Sequence, residues 1–236
     1  NSTLQLNTPV RPAAGHDLAV HCRGVVKGYQ TASTRVMALR GVDLDIGLGE
    51  LLMLVGPSGC GKTTLISVIA GILNRDEGEC TVFGQDLDRL PARERTRFRG
   101  LNVGFVFQQF NLLPALTGAQ NVAVPLLING VREGAAMKKA REMLARVGLS
   151  DRTDSYPREL SGGQQQRVAT ARAMVHDPRL IVCDEPTSAL DHETGHIVMR
   201  MLKNVALDQK RALVIVTHDA RIFGFADRIA KMDDGH

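Results

Sequence analysis

The sequence predicts an α/β fold, a core of buried strands and helices that carries an antiparallel β part and is interrupted by a helical insertion. Three observations predict it. Apolar runs of strand length, "LLMLV", "RLIVCD" and "ALVIVT", alternate with helical stretches toward the two ends of the chain. Residues 18 to 55 read as strands separated by Gly-containing turns, the pattern of antiparallel hairpins leading into a buried strand. Residues 109 to 176 change character, with apolar positions at helical spacing such as Met137, Ala140, Leu144 and Val147 and almost no strand signal.

Taken in order, "LAVHCRGVVKGY", "VDLDI" and "LLMLV" are the first predicted strands, and a helix is expected from residue 62 to about 72. "CTVFG" and "NVGFVF" follow as strands, with the Arg-rich "LPARERTRFRG" as a short polar helix between them. After the helical insertion, "RLIVCD" and "ALVIVT" flank a helix from about residue 193 to 207. Neither an internal repeat nor a low-complexity segment interrupts this reading.

The chain has 236 residues, enough to bury roughly 70 to 75% of its unfolded surface. Hydrophobic residues at 44% and charged residues at 23% describe a folded chain rather than a disordered or fibrous one. The net charge of +4 is spread along the sequence and demands no nucleic acid. Arg89, Arg93, Arg95, Arg97 and Arg99 are expected on a solvated helix face, since Glu94 interrupts them and no aromatic residues interleave. Lys138, Lys139, Arg141 and Arg146 lie opposite the apolar stripe of their helix and are expected to face water. The apolar runs "LLMLVG" and "VAVPLLI" fall far short of the ~20 residues of a membrane helix. Residues 1 to 17 read as a polar tail without the basic start and apolar core of a signal peptide, and the missing initiator Met suggests trimming. Cys22, Cys60, Cys80 and Cys183 have neither Cys-x-x-Cys nor zinc spacing, and are expected as reduced thiols in a cytosolic protein.

"GPSGCGKTT" fits Gly-x4-Gly-Lys-Thr and stands between an apolar strand and a helix, where a phosphate-binding loop must stand. Gly56, Pro57, Ser58, Gly59, Cys60 and Gly61 let backbone amides turn toward phosphate oxygens, and Thr64 continues the loop into the helix. Lys62 is placed to reach the β and γ phosphates, the Thr63 hydroxyl to ligate Mg²⁺, and the helix dipole adds its positive end. "RLIVCDEP" ends a strand in two carboxylates. Placed beside the loop strand, Asp184 would help hold Mg²⁺ and Glu185 would orient or deprotonate the attacking water. "VIVTHD" puts His218 at another strand end, either to reach a γ phosphate or as a satisfied structural histidine.

"LSGGQQQR" completes the set, and with it the chain resembles the nucleotide-binding subunit of an ABC transporter from about residue 18 to residue 235. The resemblance implies a P-loop NTPase (RecA-like) core with an antiparallel β subdomain and a helical signature-motif subdomain. It implies a single ATPase domain over residues 18 to 236, with the core in 18 to 108 and 177 to 236 and the helical part in 109 to 176. Ser161, Gly162, Gly163 and Gln164 match the signature motif, offering a hydroxyl, backbone amides and a helix N-terminus to phosphate, which the same residues could also do as an ordinary helix cap. Tyr29 matches the aromatic residue that stacks on adenine, or packs as any tyrosine would. Gln108 matches the loop glutamine that joins Mg²⁺ and water to the membrane partner, with Gln109 as the register alternative. Asp191 of "SALD" matches the loop that crosses between subunits, and His218 the switch histidine.

The implied cofactors are ATP and Mg²⁺, and the implied partners an integral membrane permease and, on ATP binding, a second copy of the chain. "GFVFQQFNLLPALTGAQNV" is similar to the branch serving lipoprotein release and macrolide or peptide export, where a periplasmic adaptor can join through the permease. Such a subunit lies on the cytoplasmic face of the inner membrane. Two departures stand out: neutral Gln120 replaces a frequent Glu, and the end at "DDGH" suggests no regulatory domain. A soluble relative acting on DNA or ribosomes would carry two cassettes or a long coiled coil, and a P-loop kinase would have no use for "LSGGQQQR".

Overall fold

A computed structural model describes residues 17–30, 34–188, 190–206 and 211–236. The expected polar tail up to residue 16, Ala189 of "SALD" and the expected helix end at Leu207 lie outside the described residues.

Two long strands, β1 (Leu18–Gln30) and β2 (Arg35–Gly47), precede β3 (Leu51–Val55) and helix α1 (Lys62–Ile69). Then come β4 (Glu77–Val82), β5 (Gln85–Asp86), α2 (Ala92–Asn102) and β6 (Val103–Val106). Helices α3 (Gly118–Ile128), α4 (Glu133–Arg146) and α5 (Gly162–Met174) follow without a strand. The chain closes with β7 (Leu180–Asp184), α6 (His192–Ala206), β8 (Ala212–Val216) and β9 (Arg228–Lys231).

The strands form two sheets. One is antiparallel in the order β2-β1-β4-β5, the other parallel in the order β6-β7-β8-β3-β9. "LLMLV", "LIVCD" and "ALVIV" are apolar at nearly every position because each lies inside the parallel sheet with both faces covered. The alternation of β3 divides the core. Leu51 and Met53 point to one cluster with α3, α4, α5 and α6, while Leu52 and Leu54 point to another with α1 and the antiparallel sheet. Each fully buried side chain of this size contributes about 1.5–3 kcal/mol by leaving water, so neither face of the sheet is dispensable.

Several expectations need correction. The strand carrying Asp184 is not beside the loop strand: β8 lies between β7 and β3, pairing with both in parallel. This places the end of β8, and His218 beyond it, between the phosphate loop and the two carboxylates. Helix α1 stops at Ile69 instead of Ile72, because Gly71 follows with φ +67 and a Cβ there would lie 2.7 Å from Leu87 Cδ1. The Arg-rich segment is not one solvated face, for Arg89 falls in a preceding 3-10 turn and pairs with Asp86. Arg95 bonds Asn74 and pairs with Asp88, and Arg99 donates to the Gly71 carbonyl. On α4 the buried stripe is Ala136, Ala140 and Leu144, and Lys138, Lys139, Arg141 and Arg146 are exposed as expected. The edge strand β9 had no signal in the sequence strong enough to read.

Candidate active site

The loop from Gly56 to Gly61 leaves the carboxyl end of β3 and enters α1. Two of its glycines leave no room for a side chain. A Cβ on Gly56 would lie 2.1 Å from the Met232 carbonyl oxygen, and one on Gly61 2.2 Å from that of Ala38. The loop is thus clasped between the start of the antiparallel sheet and the last residues of the chain. Met232 donates its N–H to Val55 at 2.7 Å, and Gly235 to the Cys60 carbonyl at 3.1 Å. Inside the turn, the buried Lys62 ammonium donates to the carbonyls of Gly56 at 2.9 Å and Pro57 at 2.7 Å. Cys60 is buried beside it, its sulfur 3.6 Å from Nζ.

The Thr63 hydroxyl donates to both oxygens of Asp184, at 3.2 and 3.0 Å, joining the loop helix to the end of β7. Burial pushes the Asp184 carboxyl above its ordinary value; the Thr63 bond and Lys62 oppose this, and the Glu185 charge adds to it. The next residue, Glu185, adopts φ +50, a left-handed backbone that turns its side chain out of the strand direction. Its N–H is held by Val216 at 2.9 Å, and its carbonyl accepts from the Ser188 hydroxyl at 3.0 Å. His218 Nδ1 stands 2.7 Å from Glu185 Oε1. Oε2 of Glu185 is buried with no hydrogen-bond partner among the described residues.

These residues converge. One cavity of about 490 Å³ is lined by Gly56, Pro57, Ser58, Gly59, Gly61, Lys62, Thr63, Thr64, Gln108, Asp184, Glu185 and His218, together with Ala38 and Val216. Of the two glutamines left open by the sequence, Gln108 is the one that lines the cavity. Tyr29 stands at the end of β1, 40% exposed, with its hydroxyl 3.4 Å from Thr64 Oγ1. The strand bearing it is anchored by Asp76, which accepts from Lys27 Nζ and the Gly28 N–H. The Lys27 ammonium and that N–H pull the Asp76 carboxyl down to about 2.

Ser161, Gly162, Gly163 and Gln164 do not line the cavity. They form the N-terminus of α5, where Ser161 Oγ accepts from the Gln164 N–H at 3.3 Å and Gln164 Oε1 accepts from the Ser161 N–H at 2.9 Å. Gly163 packs on the first turn of α6, since a Cβ there would lie 2.8 Å from Thr194 Cγ2. Asp191 caps that turn, accepting from the Thr194 N–H at 2.9 Å and its hydroxyl at 2.7 Å, and these bonds lower its carboxyl. Gln120, the departure noted above, closes a capping box with Thr117, a task that glutamine performs as well as glutamate. Ala38 belongs to the site's frame and was not anticipated, because its contribution is backbone proximity that no motif encodes.

Among the described residues no helix is long and apolar enough to cross a membrane, and no cluster of three or more His, Cys, Asp or Glu could hold a metal by itself. The family model described as ABC transporter matches residues 39–188. The chain is 43% identical over 216 residues to the uncharacterized ABC transporter ATP-binding protein Rv0073 of Mycobacterium tuberculosis, covering 92% of this chain but only 64% of that protein's length. It is 42% identical over 221 residues to the lipoprotein-releasing system ATP-binding protein LolD 2 of Caulobacter vibrioides, covering 93% of this chain and 96% of the relative. A solved dimeric structure of the ATP-binding cassette MJ0796, in a post-hydrolysis state bound to ADP and Pi, matches with a TM-score of 0.86 and 38% identity over 92% of this chain and 95% of that one. With a phosphate-loop α/β fold that superposes on such a cassette and a family match across most of its length, the chain belongs to the ABC transporter family.

Proposed function

We propose that the chain is the ATP-binding and ATP-hydrolysing motor subunit of an ABC transporter, working on a separate membrane permease of the lipoprotein-release or macrolide-export type. The observation that carries the reading is the convergence of Lys62, Thr63, Gln108, Asp184, Glu185 and His218 on one cavity at the carboxyl ends of the parallel strands.

The loop amides at the start of α1 and the Lys62 ammonium bind the phosphates of ATP, and Lys62 exchanges its two carbonyl partners for phosphate oxygens. Tyr29 offers an exposed ring to the adenine. Thr63, Asp184 and Gln108 supply only oxygen donors, a set that fits magnesium, and buried Asp184 gains from a cation beside it. Bound there, magnesium supplies positive charge to the β and γ phosphate oxygens. Glu185 takes a proton from the attacking water, while His218 holds the carboxylate by Oε1. His218 orients that carboxylate. In this reading the imidazole donates through Nδ1 and the carboxylate accepts through Oε1.

The distance in sequence between the phosphate loop and "LSGGQQQR" is read as a division of labour between two copies of the chain. Ser161, Gly162, Gly163 and Gln164 of one copy close over ATP held by the other, with Asp191 at the crossing, in an isologous dimer with two shared sites. Their position outside the cavity of their own chain supports this, as does the dimeric form of the similar cassette. The division of the chain into a core over residues 18–108 and 177–236 and a helical part over 109–176 follows the same reading, with α5 packed on β6 as the bridge. For the permease, an apolar groove of about 460 Å³ lies beside the Gln108 loop, with Phe107 and Ile128 exposed along it. A cytoplasmic segment of the permease is the occupant this reading assigns. The subunit then sits on the cytoplasmic face of the inner membrane, and a periplasmic adaptor would be reached only through the permease.

Isolation of the chain from native membranes tests this directly. A co-purifying integral membrane protein that raises Mg²⁺-dependent phosphate release supports the reading; co-purifying nucleic acid or ribosomes, or phosphate transferred to an acceptor instead of water, overturns it.

A further inference from the structure

Arg172 lies near the end of α5, and its guanidinium is half-buried beside the Gln108 loop. Among the described residues no carboxylate pairs with it. Its NH1 donates to the Asn111 carbonyl at 2.7 Å and its NH2 to the Phe110 carbonyl at 2.9 Å. A charge withdrawn from water without a counter-ion carries a free-energy cost that ordinary surface residues avoid, and burial lowers the affinity of Arg172 for its proton accordingly. Those two carbonyls belong to a loop without ladder partners, and Asn111 takes the left-handed φ of +48. Arg172 therefore satisfies backbone carbonyls in the irregular loop that follows β6. On the other side the loop is fixed by the Phe105 and Phe107 rings, whose centroids are 4.4 Å apart. Gln108 and Gln109, both exposed, span the short arch between these two anchors.

The same helix starts at Gly162 and carries the Ser161 cap. One rigid rod, about 1.5 Å per residue, connects the guanidinium that grips the loop to the capped end at Ser161.

We propose that Arg172 is a positioning residue: it sets the height of Gln108 over the cavity by holding the Phe110 and Asn111 carbonyls, and ties that placement to the helix that bears Ser161, Gly162 and Gly163. The inference rests on the reading of Gln108 as a residue of the hydrolytic site. Arg172 touches neither the cavity nor its expected contents, so its effect must pass through the loop.

The test is a double-mutant cycle on the full chain, with single-turnover MgATP hydrolysis as the rate, nucleotide affinity and thermal unfolding as controls, and amide hydrogen exchange over residues 107–113. Gln108→Ala alone tests the underlying reading, and a wild-type rate in that variant overturns it together with the inference. Arg172→Met keeps the length and removes the donors. A misplacement of about 1 Å at such a site costs up to roughly a hundredfold in rate, and a loss in that direction with ATP affinity retained is expected. The double variant should be no slower than Gln108→Ala, since both changes disable one device. Multiplying losses, or unaltered exchange in the loop of Arg172→Met, overturn the inference while leaving the glutamine in place. Arg172→Lys keeps the charge but places its donors on one nitrogen in place of the two-pronged guanidinium that meets Phe110 and Asn111 through separate nitrogens, so it should fall between wild type and Arg172→Met. If Arg172→Met fails to fold, Arg172→Lys carries the cycle.

Discussion

His218 and Glu185 meet through Nδ1 and Oε1 at 2.7 Å, across the boundary between β8 and β7, while the histidine side chain is 70% exposed and the glutamate 10%. The contact fixes one carboxylate oxygen and leaves the other, and it is made possible by β8 lying between the phosphate loop and the carboxylate strand. Each part of the proposed mechanism can be removed separately.

Glu185→Gln should keep ATP affinity and slow hydrolysis by about 10² to 10⁴, the usual contribution of a general base. The amide can still meet His218, so the site's shape is retained. Because ATP is then bound without turnover, the variant should accumulate as an ATP-loaded dimer in light scattering. A wild-type rate would remove Glu185 from the mechanism.

Lys62→Ala removes the ammonium that holds the Gly56 and Pro57 carbonyls, as well as the charge that faces phosphate. Charged hydrogen bonds of this kind are worth roughly tenfold to a hundredfold each in binding, so titration with a fluorescent ATP analogue should show affinity lost by at least that factor. Binding at wild-type strength would take the phosphate loop out of the site.

Asp184 gives a pH test. Its folded-state carboxyl is raised by burial, so the folded chain holds this proton more tightly than the unfolded one does. Its contribution is fully present below the ordinary carboxylate range and is lost as pH rises through the raised value. At neutral pH the charged, buried group is a cost, and Asp184→Asn escapes it. Without nucleotide or magnesium, the variant should melt higher than wild type at neutral pH, and the difference should shrink as the pH falls into the carboxylate range. Calorimetric scans showing a constant difference, or a lower melting temperature at pH 7, would refute the assignment of burial as the cause.

A mixed dimer tests sharing between copies. With Lys62→Ala in one chain and Ser161→Arg in the other, shared sites collect both defects in one place and leave the second intact. A single-turnover burst near one site per dimer is expected from the mixture and from neither mutant homodimer. If each chain instead used its own Ser161, no site would survive and the burst would be absent from a dimer known to assemble.

The sequence was most legible where chemistry and local geometry coincide. Gly56 to Thr64 could be read because glycine, lysine and threonine at that spacing serve one purpose between a strand and a helix, and the structure places them so. Gln108 was distinguishable from Gln109 only through the resemblance, because one residue along an irregular loop changes which amide meets the cavity. The order of strands was not legible: β7 and β8 are equally apolar, and nothing in "LIVCD" or "ALVIV" states which one pairs with β3. Ala38 and Met232 escaped for a related reason, since each acts by where its carbonyl oxygen sits against a glycine. Contacts made by backbone between distant segments leave no residue-type signature.

The clasp around the phosphate loop also sets an order of events during synthesis. β3 is made early, yet both its neighbours in the sheet, β8 and β9, come from the far end of the chain, and Leu51 bonds the Asp227 carboxylate across 176 residues. At about 5–20 residues per second on the ribosome, roughly 10 to 35 seconds separate the emergence of the strand from that of its partners. During that interval an apolar strand with unpaired edges on both sides is exposed to other nascent chains. The loop gains its walls only once Met232 and Gly235 have been made, so a nascent chain that has not reached them lacks the full nucleotide site, and ATP cannot reward its folding through that site before then.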